Sequence, residues 1–265
     1  MNSVNKISFK PSLYPSGLTS SEVEQAFSEV RAMYGDFYIE NSNRSRLLVA
    51  VSFMNGKKLL DIGSFVNIYP PVLSSLGMNV TVLDNFRQRR DIKEQKRIDF
   101  ALKNVYSKLN IEVIEEDVFS FDFAKLTEQY DVITSFEVFE HLIDSPKPIM
   151  SGIHKALRPG GRFILSIPNI SSLFKRVKLL FGHSPLPNYK RYYHNGNPFT
   201  GHRRELTSTE ACWMVEQVGL KVDKCFGTNI CGTKNQKKLT RFIQNFQVLP
   251  SLMSYFFVIA RKPEI

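Results

Sequence analysis

Apolar residues fall along this chain in short blocks, set apart by polar stretches rich in turn-forming residues. Blocks at Lys58–Ile62, Asn79–Leu83, Ile111–Glu115, Asp131–Ser135, Arg162–Ile167, Leu220–Phe226 and Met253–Ala260 read as buried strands. Between them, apolar positions recur every three to four residues, which predicts helices at Pro71–Leu76, Arg90–Lys108, Pro146–Leu157 and Ser208–Val218. Upstream, Ser21 stands three residues before Glu24, a capping-box spacing, and Val23, Ala26, Phe27 and Val30 share one helical face. A second helix is expected over Asn43 to Met54, with Leu47, Leu48 and Val51 apolar. Alternating strand and helix patterns predict an α/β fold, a mostly parallel sheet with helices on both faces. The division expected is an N-terminal helical cap over residues 1–56 and a main domain over 57–265. The rhythm breaks in an insertion at about residues 169–207, too long for an ordinary connection and therefore a candidate functional segment.

Composition narrows the class. The chain has 265 residues, 43% of them hydrophobic and 23% charged, which is a globular balance rather than a disordered one. No apolar run approaches the roughly 18 to 20 residues that span a bilayer. The first twenty residues are polar, carry Pro11, Pro15 and Gly17, and lack an apolar core, so no secretory signal is expected. Three cysteines without metal-like spacing predict reduced thiols in a cytoplasm. The net charge of +10 is unevenly spread. From Ser171 to Arg204 the chain carries seven Lys and Arg and no Asp or Glu, which points to a local anionic partner.

Open sheets of this kind bind ligands at the carboxyl ends of their strands. There the sequence reads Asp61-Ile62-Gly63-Ser64, then Asp84 in "VTVLDNF", then Asp117 and Val118 in "EEDVFSF", then "YDVITSFEVFEHL" and "LRPGGRFILSIPN". Gly63 lets backbone approach a ligand closely. Asp84 can accept both hydroxyls of a ribose, and Asp117 with its adjacent backbone can hold an adenine amino group. Singly, an acidic residue at a strand end is as readily a cap or turn residue. The ordered set carries the weight.

From Lys57 to Pro168 that set resembles the class I S-adenosylmethionine-dependent methyltransferases, through "LLDIG", "VTVLD", "EEDVFSF" and "YDVITSFEVFEHL…ALRPGGRFILSIPN". The resemblance implies a Rossmann-like seven-stranded sheet with the last strand antiparallel, and S-adenosylmethionine as cofactor. It places Asp61, Gly63, Ser64 and Phe65 on the methionine side. Asp84 with Asn85 falls at the ribose, Asp117 and Val118 flank the adenine, and Ser135 and Phe136 lie beneath the sulfonium. The chain departs from the family's D-x-G-x-G-x-G loop, with Phe65 and Asn67 where the later glycines stand. This cofactor has no pyrophosphate to cradle, so a retained site is expected; a fold that has lost its ligand is the alternative.

Glu137, Glu140 and His141 are spaced i, i+3 and i+4 and would share one face of a helix. Two carboxylates and an imidazole suit a divalent cation such as Mg²⁺, Mn²⁺ or Fe²⁺, which would orient substrate hydroxyls. A metal-free role for His141 as general base, and a purely structural one, fit the spacing equally. The same string resembles ubiquinone-biosynthesis O-methyltransferases and small-RNA 2′-O-methyltransferases; the latter add a distant histidine as metal ligand, for which His202 is the counterpart here.

In the insertion, Leu173, Phe174, Val177, Leu180 and Phe181 alternate with Lys175, Arg176 and Lys178, a basic amphipathic pattern that reads as membrane-surface or groove docking. Further on, Tyr189, Tyr192, Tyr193 and Phe199 mix with Lys190, Arg191, His194, Arg203 and Arg204. Such a mixture can stack on bases, cover a sugar ring carrying a diphosphate, or be a solvated face. The wording resembles methyltransferases of bacterial surface-polysaccharide synthesis. The reading expected is O-methylation of a sugar, glycan or lipid-linked hydroxyl, with peripheral contact at the inner face of the membrane. RNA 2′-O-methylation and a non-catalytic binding protein of the same fold are the alternatives.

Overall fold

In the computed structural model, residues 18–38, 43–63, 65–86, 92–186, 188–194, 201–228 and 250–264 are described. Seven strands form one sheet: β1 (Lys58–Ile62), β2 (Asn79–Leu83), β3 (Glu112–Ile114), β4 (Tyr130–Phe136), β5 (Leu157–Pro168), β6 (Lys221–Thr228) and β7 (Tyr255–Arg261). Their order is β3-β2-β1-β4-β5-β7-β6, and β7 runs antiparallel to both its neighbours while the other pairs are parallel. The chain therefore builds outward from β1 in one direction, then returns to build outward from β4 in the other. The crevice at the carboxyl ends of β1 and β4 is the switch point, where a ligand fits in such sheets.

The helices are α1 (Ser20–Tyr34), α2 (Asn43–Val51), α3 (Tyr69–Ser75), α4 (Ile92–Ala101), α5 (Lys147–Ala156), α6 (Leu173–Leu180), α7 (Tyr189–His194) and α8 (Ser208–Glu216). Successive strand residues face opposite ways, and the two cores follow that period. Leu59, Val132 and Ile164 join the core beneath α1 to α4, whereas Leu60, Ile133 and Leu165 join the core beneath α5 and α8. Every residue of β4 is buried, as expected of a central parallel strand covered on both faces. The N-terminal helices share the first core, with Val23, Phe27, Leu47 and Ala50 buried in it. Among the described residues, no helix is long and apolar enough to cross a membrane. Cys212 and Cys225 are free thiols; Cys231 lies outside the described residues.

Some boundaries differ from the sequence reading. The α1 capping box sits on Thr19 and Glu22, two residues before the expected pair: Thr19 N–H donates to Glu22 Oε2 at 2.6 Å, and Glu22 N–H to Thr19 Oγ1 at 3.3 Å. "TSSE" and "SEVE" both satisfy the motif, and the earlier start adds helical residues. The helix expected over Arg90–Lys108 is α4 followed by a π-turn at Leu102–Tyr106; residues 87–91 lie outside the described ones. β5 begins five residues early, at Leu157, because the "RPGG" segment continues the strand past an irregularity opposite Tyr130 and Val132.

At the amino end of the sheet, Asp131 holds β1, β4 and β5 together. Its Oδ2 accepts the Lys57 and Lys58 N–H groups at 2.6 and 2.9 Å, and its Oδ1 pairs with Arg158 Nε at 2.6 Å. Gly56 makes room, since a Cβ there would lie 2.3 Å from Asp131 Oδ2. Asp131→Ala leaves two part-buried backbone donors unmet and is expected to cost about 1–3 kcal/mol. Urea unfolding checks this, as a lower midpoint with an unchanged slope.

Candidate active site

The crevice is marked by backbone conformation before it is marked by side chains. Left-handed φ is uncommon outside glycine and tends to cluster where a site demands it. Here Phe65 (φ +52°), Phe86 (+49°) and Glu137 (+58°) follow the carboxyl ends of β1, β2 and β4. The other described cases, Asn110 and Glu128, precede β3 and β4 at the opposite end of the sheet. Gly63 (φ +73°) turns the chain out of β1 with its N–H on Leu83 O at 2.9 Å. A Cβ at Gly63 would stand 2.6 Å from Val138 Cγ2, so the loops after β1 and β4 meet at a glycine that cannot be replaced without movement.

The residues expected around a nucleoside converge on these ends. Asp84 Oδ2 accepts Phe65 N–H at 2.7 Å and its Oδ1 accepts Phe86 N–H at 2.7 Å, tying the first loop to the second. Burial pushes the Asp84 carboxyl up; the two backbone donors oppose that rise and Asp117 adds to it. Asn85 Nδ2 donates to Asp117 Oδ2 at 2.7 Å, and Asp117 Oδ1 accepts Phe119 N–H at 2.9 Å. Val118 is partly buried against the second core. Asp61 is buried opposite Thr134, whose hydroxyl donates to Asp61 Oδ1 at 2.5 Å. Ser135 is fully buried, and the Phe136 ring packs edge-on to Tyr69 at 5.2 Å and Phe257 at 6.2 Å, in the core under the crevice. Ser64 lies outside the described residues. The Phe65 ring turns toward Phe86 (6.4 Å), on the β2 side, while Tyr106 and Tyr34 donate to the carbonyls of Phe65 and Asn67 at 3.2 Å. Tyrosines of neighbouring elements thus hold the glycine-poor loop in shape.

The helical face expected for Glu137, Glu140 and His141 does not form. After β4, Glu137 takes the left-handed conformation and a 3-10 turn begins only at Phe139–His141. The Glu137 carboxylate is drawn away by Arg46 of α2, with Nη2 at 2.5 Å from Oε1. Arg46 is 1% exposed; it also donates to the Tyr69 hydroxyl at 2.9 Å and lies over the Tyr255 ring. The cluster of ligand-type atoms among the described residues does not include Glu137.

A different group assembles instead. Ligand-type atoms of Glu140, His141 and His202 all lie within 4.8 Å of one another. The insertion brings His202 there: the Arg203 and Arg204 N–H groups donate to Glu140 O at 2.7 and 3.3 Å, and Asn169 bridges Leu206. The His141 and His202 rings meet edge-on at 4.9 Å. His202 Nδ1 lies 2.8 Å from Glu205 Oε1, which leaves Nε2 facing Glu140 Oε1 at 3.9 Å. Glu205 in turn pairs with Lys175 of α6. Neither carboxylate oxygen of Glu140 has a hydrogen-bond partner among the described residues, and its side chain is fully buried. Burial pushes its carboxyl up to about 8; its own backbone N–H, Arg46 and Lys175 oppose the rise, and Glu137 adds to it. Burial likewise pulls the Lys175 ammonium down to about 8. One carboxyl and two imidazoles, one of them held by a second carboxylate, are a donor set for Mn²⁺ or Fe²⁺ rather than for Mg²⁺, which prefers oxygens.

Arg46, Glu205 and Lys175 were not singled out by sequence reasoning as site residues. Arg46 carries a readable signal, since it lies three and four positions before Val49 and Ala50 and so shares their buried face. Glu205 is the first acid after the basic run, and an acid so placed has cations to meet.

A methyltransferase-domain family model matches residues 37–224. A ubiquinone biosynthesis O-methyltransferase of Aeromonas salmonicida is 26% identical over 195 residues, which is 73% of this chain and 75% of that one. One of Pseudomonas aeruginosa is 28% identical over 114 residues, 43% of this chain and 45% of its own length. Among solved structures, a putative S-adenosylmethionine-dependent methyltransferase from Listeria monocytogenes superposes with a TM-score of 0.57 at 14% identity, covering 84% of this chain and 99% of that one. One from Archaeoglobus fulgidus gives 0.54 at 14% identity, covering 82% and 92%. These structural likenesses show the shared fold.

The raised Glu140 carboxyl has a consequence for stability. A neutral Glu140 fits its site and an ionised one does not, so its contribution is fully present below about pH 4.5 and is lost as pH rises through about 8. Relative to Glu140→Gln, the wild-type chain is expected to lose on the order of 3 kcal/mol across that window. Urea midpoints of both proteins from pH 5 to pH 9 check it, the variant giving the flatter profile.

Proposed function

This chain belongs to the S-adenosylmethionine-dependent methyltransferases, and on that premise we propose that it methylates a hydroxyl oxygen of a sugar, glycan or lipid-linked small molecule. The observation that carries the proposal is the group at the crevice end of β4 in which a buried Glu140 meets the half-buried rings of His141 and His202. It sets a proton acceptor and a buried carboxyl beside the switch point. The residues present fit the cofactor: Gly63 would allow close backbone approach, Asp84, Asn85 and Asp117 would line the nucleoside side, and Arg46 adds a buried positive charge at the end of β4 through Glu137. When bound, S-adenosylmethionine supplies a methyl group on a sulfonium centre, open to in-line attack by oxygen.

The chain's part is to hold the acceptor oxygen in line and to take its proton, so orientation supplies most of the rate. His141 is the proton acceptor in this reading. Glu205 on His202 Nδ1 fixes that ring with Nε2 toward Glu140, which keeps the floor of the acceptor site in one arrangement. A divalent cation on Glu140, His141 and His202 would orient two neighbouring hydroxyls of the acceptor. That version is what the RNA 2′-O-methyltransferase alternative would use, with His202 as the distant ligand. Against it stands Glu137, which is committed to Arg46. The name of the Aeromonas relative, an O-methyltransferase, supports oxygen as the atom methylated. The wording of the insertion supports the glycan end of the acceptor class.

Transfer of labelled methyl from S-adenosylmethionine to a panel of sugar nucleotides, lipid-linked glycans and ring hydroxyls tests the proposal. His141→Ala is expected to lower kcat about 10²- to 10⁴-fold with cofactor affinity unchanged. Gly63→Ala is expected to weaken cofactor binding at least about tenfold by calorimetry, as its Cβ must displace Val138. A chain that binds no cofactor at millimolar concentration is the non-catalytic alternative. Activity lost to a chelator and recovered with a single divalent ion would favour the metal version.

A further inference from the structure

The described surface is richest in exposed apolar side chains on α6 and the turn that ends it. The first turn of α6 is fixed to the body. Asn169, fully buried, donates to the carbonyls of Ser251 and Met253 at 3.0 and 2.9 Å and accepts from the Ser171 N–H and hydroxyl. Arg176 Nε donates to Ser171 O at 2.6 Å, and Lys175 pairs with Glu205. Past that anchor the helix projects: Leu179 is 63% exposed, Leu180 80% and Phe181 72%, with Phe174 and Val177 also exposed. The helix carries Lys175, Arg176 and Lys178 and no acid, and residues 171–204 contain no Asp or Glu at all.

We propose that α6 with its terminal turn, Phe174 to His183, is a docking wedge for the surface of an anionic phospholipid bilayer. Large apolar side chains held in water on a helix that also carries Arg176 and Lys178 match an acyl boundary lying beneath negative headgroups. A nucleic acid would engage the cations but would gain little from Leu179 and Leu180. At eight residues the helix is too short to span a membrane, so the contact is superficial. The firm anchor of the first turn means that the wedge is presented already formed rather than assembled on contact. The proposal does not rest on the acceptor named above.

Co-sedimentation of the full chain tests it, using phosphatidylcholine vesicles with and without phosphatidylglycerol at low and high salt. The expected result is binding at least about tenfold stronger to the anionic vesicles, weakened by salt. Leu180→Glu with Phe181→Glu should abolish most of it, and Lys178→Glu should weaken it. Leu180 and Phe181 lie in solvent, and unchanged S-adenosylmethionine affinity and circular dichroism report that the fold is kept. Equal binding to neutral vesicles, no binding to either, or anionic binding that survives the Leu180/Phe181 pair would each overturn the proposal. So would an oligonucleotide that binds the wild-type chain tightly and is lost with the Leu180/Phe181 pair, which would assign the surface to nucleic acid.

Discussion

The whole crevice turns on the backbone of one residue. At the end of β4 the chain must stop running with the sheet and cross over β1, and Glu137 makes that turn with φ +58°. For a residue with a Cβ this costs about 1–2 kcal/mol. The cost is offset locally: Glu137 N–H donates to Ser166 O at 3.0 Å, and its carboxylate meets the buried guanidinium of Arg46. A buried ion pair of this kind is weak as a source of stability and strong as a constraint, because removing either partner leaves the other charge without compensation. Three placements follow from the turn. Glu137 faces α2, Val138 lies over Gly63, and Glu140 and His141 are delivered to the insertion.

The insertion answers that delivery from the other side. Its two ends are stapled, Asn169 to Leu206, and its backbone clamps Glu140 through the Arg203 and Arg204 amides. The outcome is a carboxyl that the protein buries without a hydrogen-bond partner among the described residues. A fold concerned with stability alone would replace such a group by an amide or an apolar side chain. A buried carboxyl set beside two imidazoles is what the proposed site rests on. The contrast with Asp131 is instructive. That acid, also buried, has both oxygens engaged by backbone and arginine donors, and it serves the architecture of the sheet.

The sheet was legible because buried parallel strands leave an unmistakable trace. Runs such as Leu59–Leu60 and Val132–Ile133 have nowhere else to go, and the two cores sort them by alternate residues as the strand period requires. The strand-end acids were legible for a related reason, since Asp84 and Asp117 each close a run. Glu-x-x-Glu-His was read as a helical face because the spacing allowed it; spacing alone does not reveal that a left-handed residue resets the direction between Glu137 and Phe139. Arg46 was missed because its partner is 91 positions away in the chain, beyond the reach of any local pattern. His202 was found by resemblance. Glu205, which orients its ring, was not, because that role exists only once the insertion has folded back.

The contact between Lys175 and Glu205 ties the projecting helix to the residue that holds the His202 ring. Lys175 belongs to the projecting helix, while Glu205 holds the histidine that faces Glu140. Any event on α6 that shifts Lys175 also shifts the energy of the His202 ring, and by thermodynamic reciprocity the reverse holds to the same extent. The insertion helix α6 and the Glu140–His202 contact are therefore energetically coupled. If both proposals hold, occupancy of the acceptor site and attachment of α6 become linked equilibria, coupled through Lys175, Glu205 and His202.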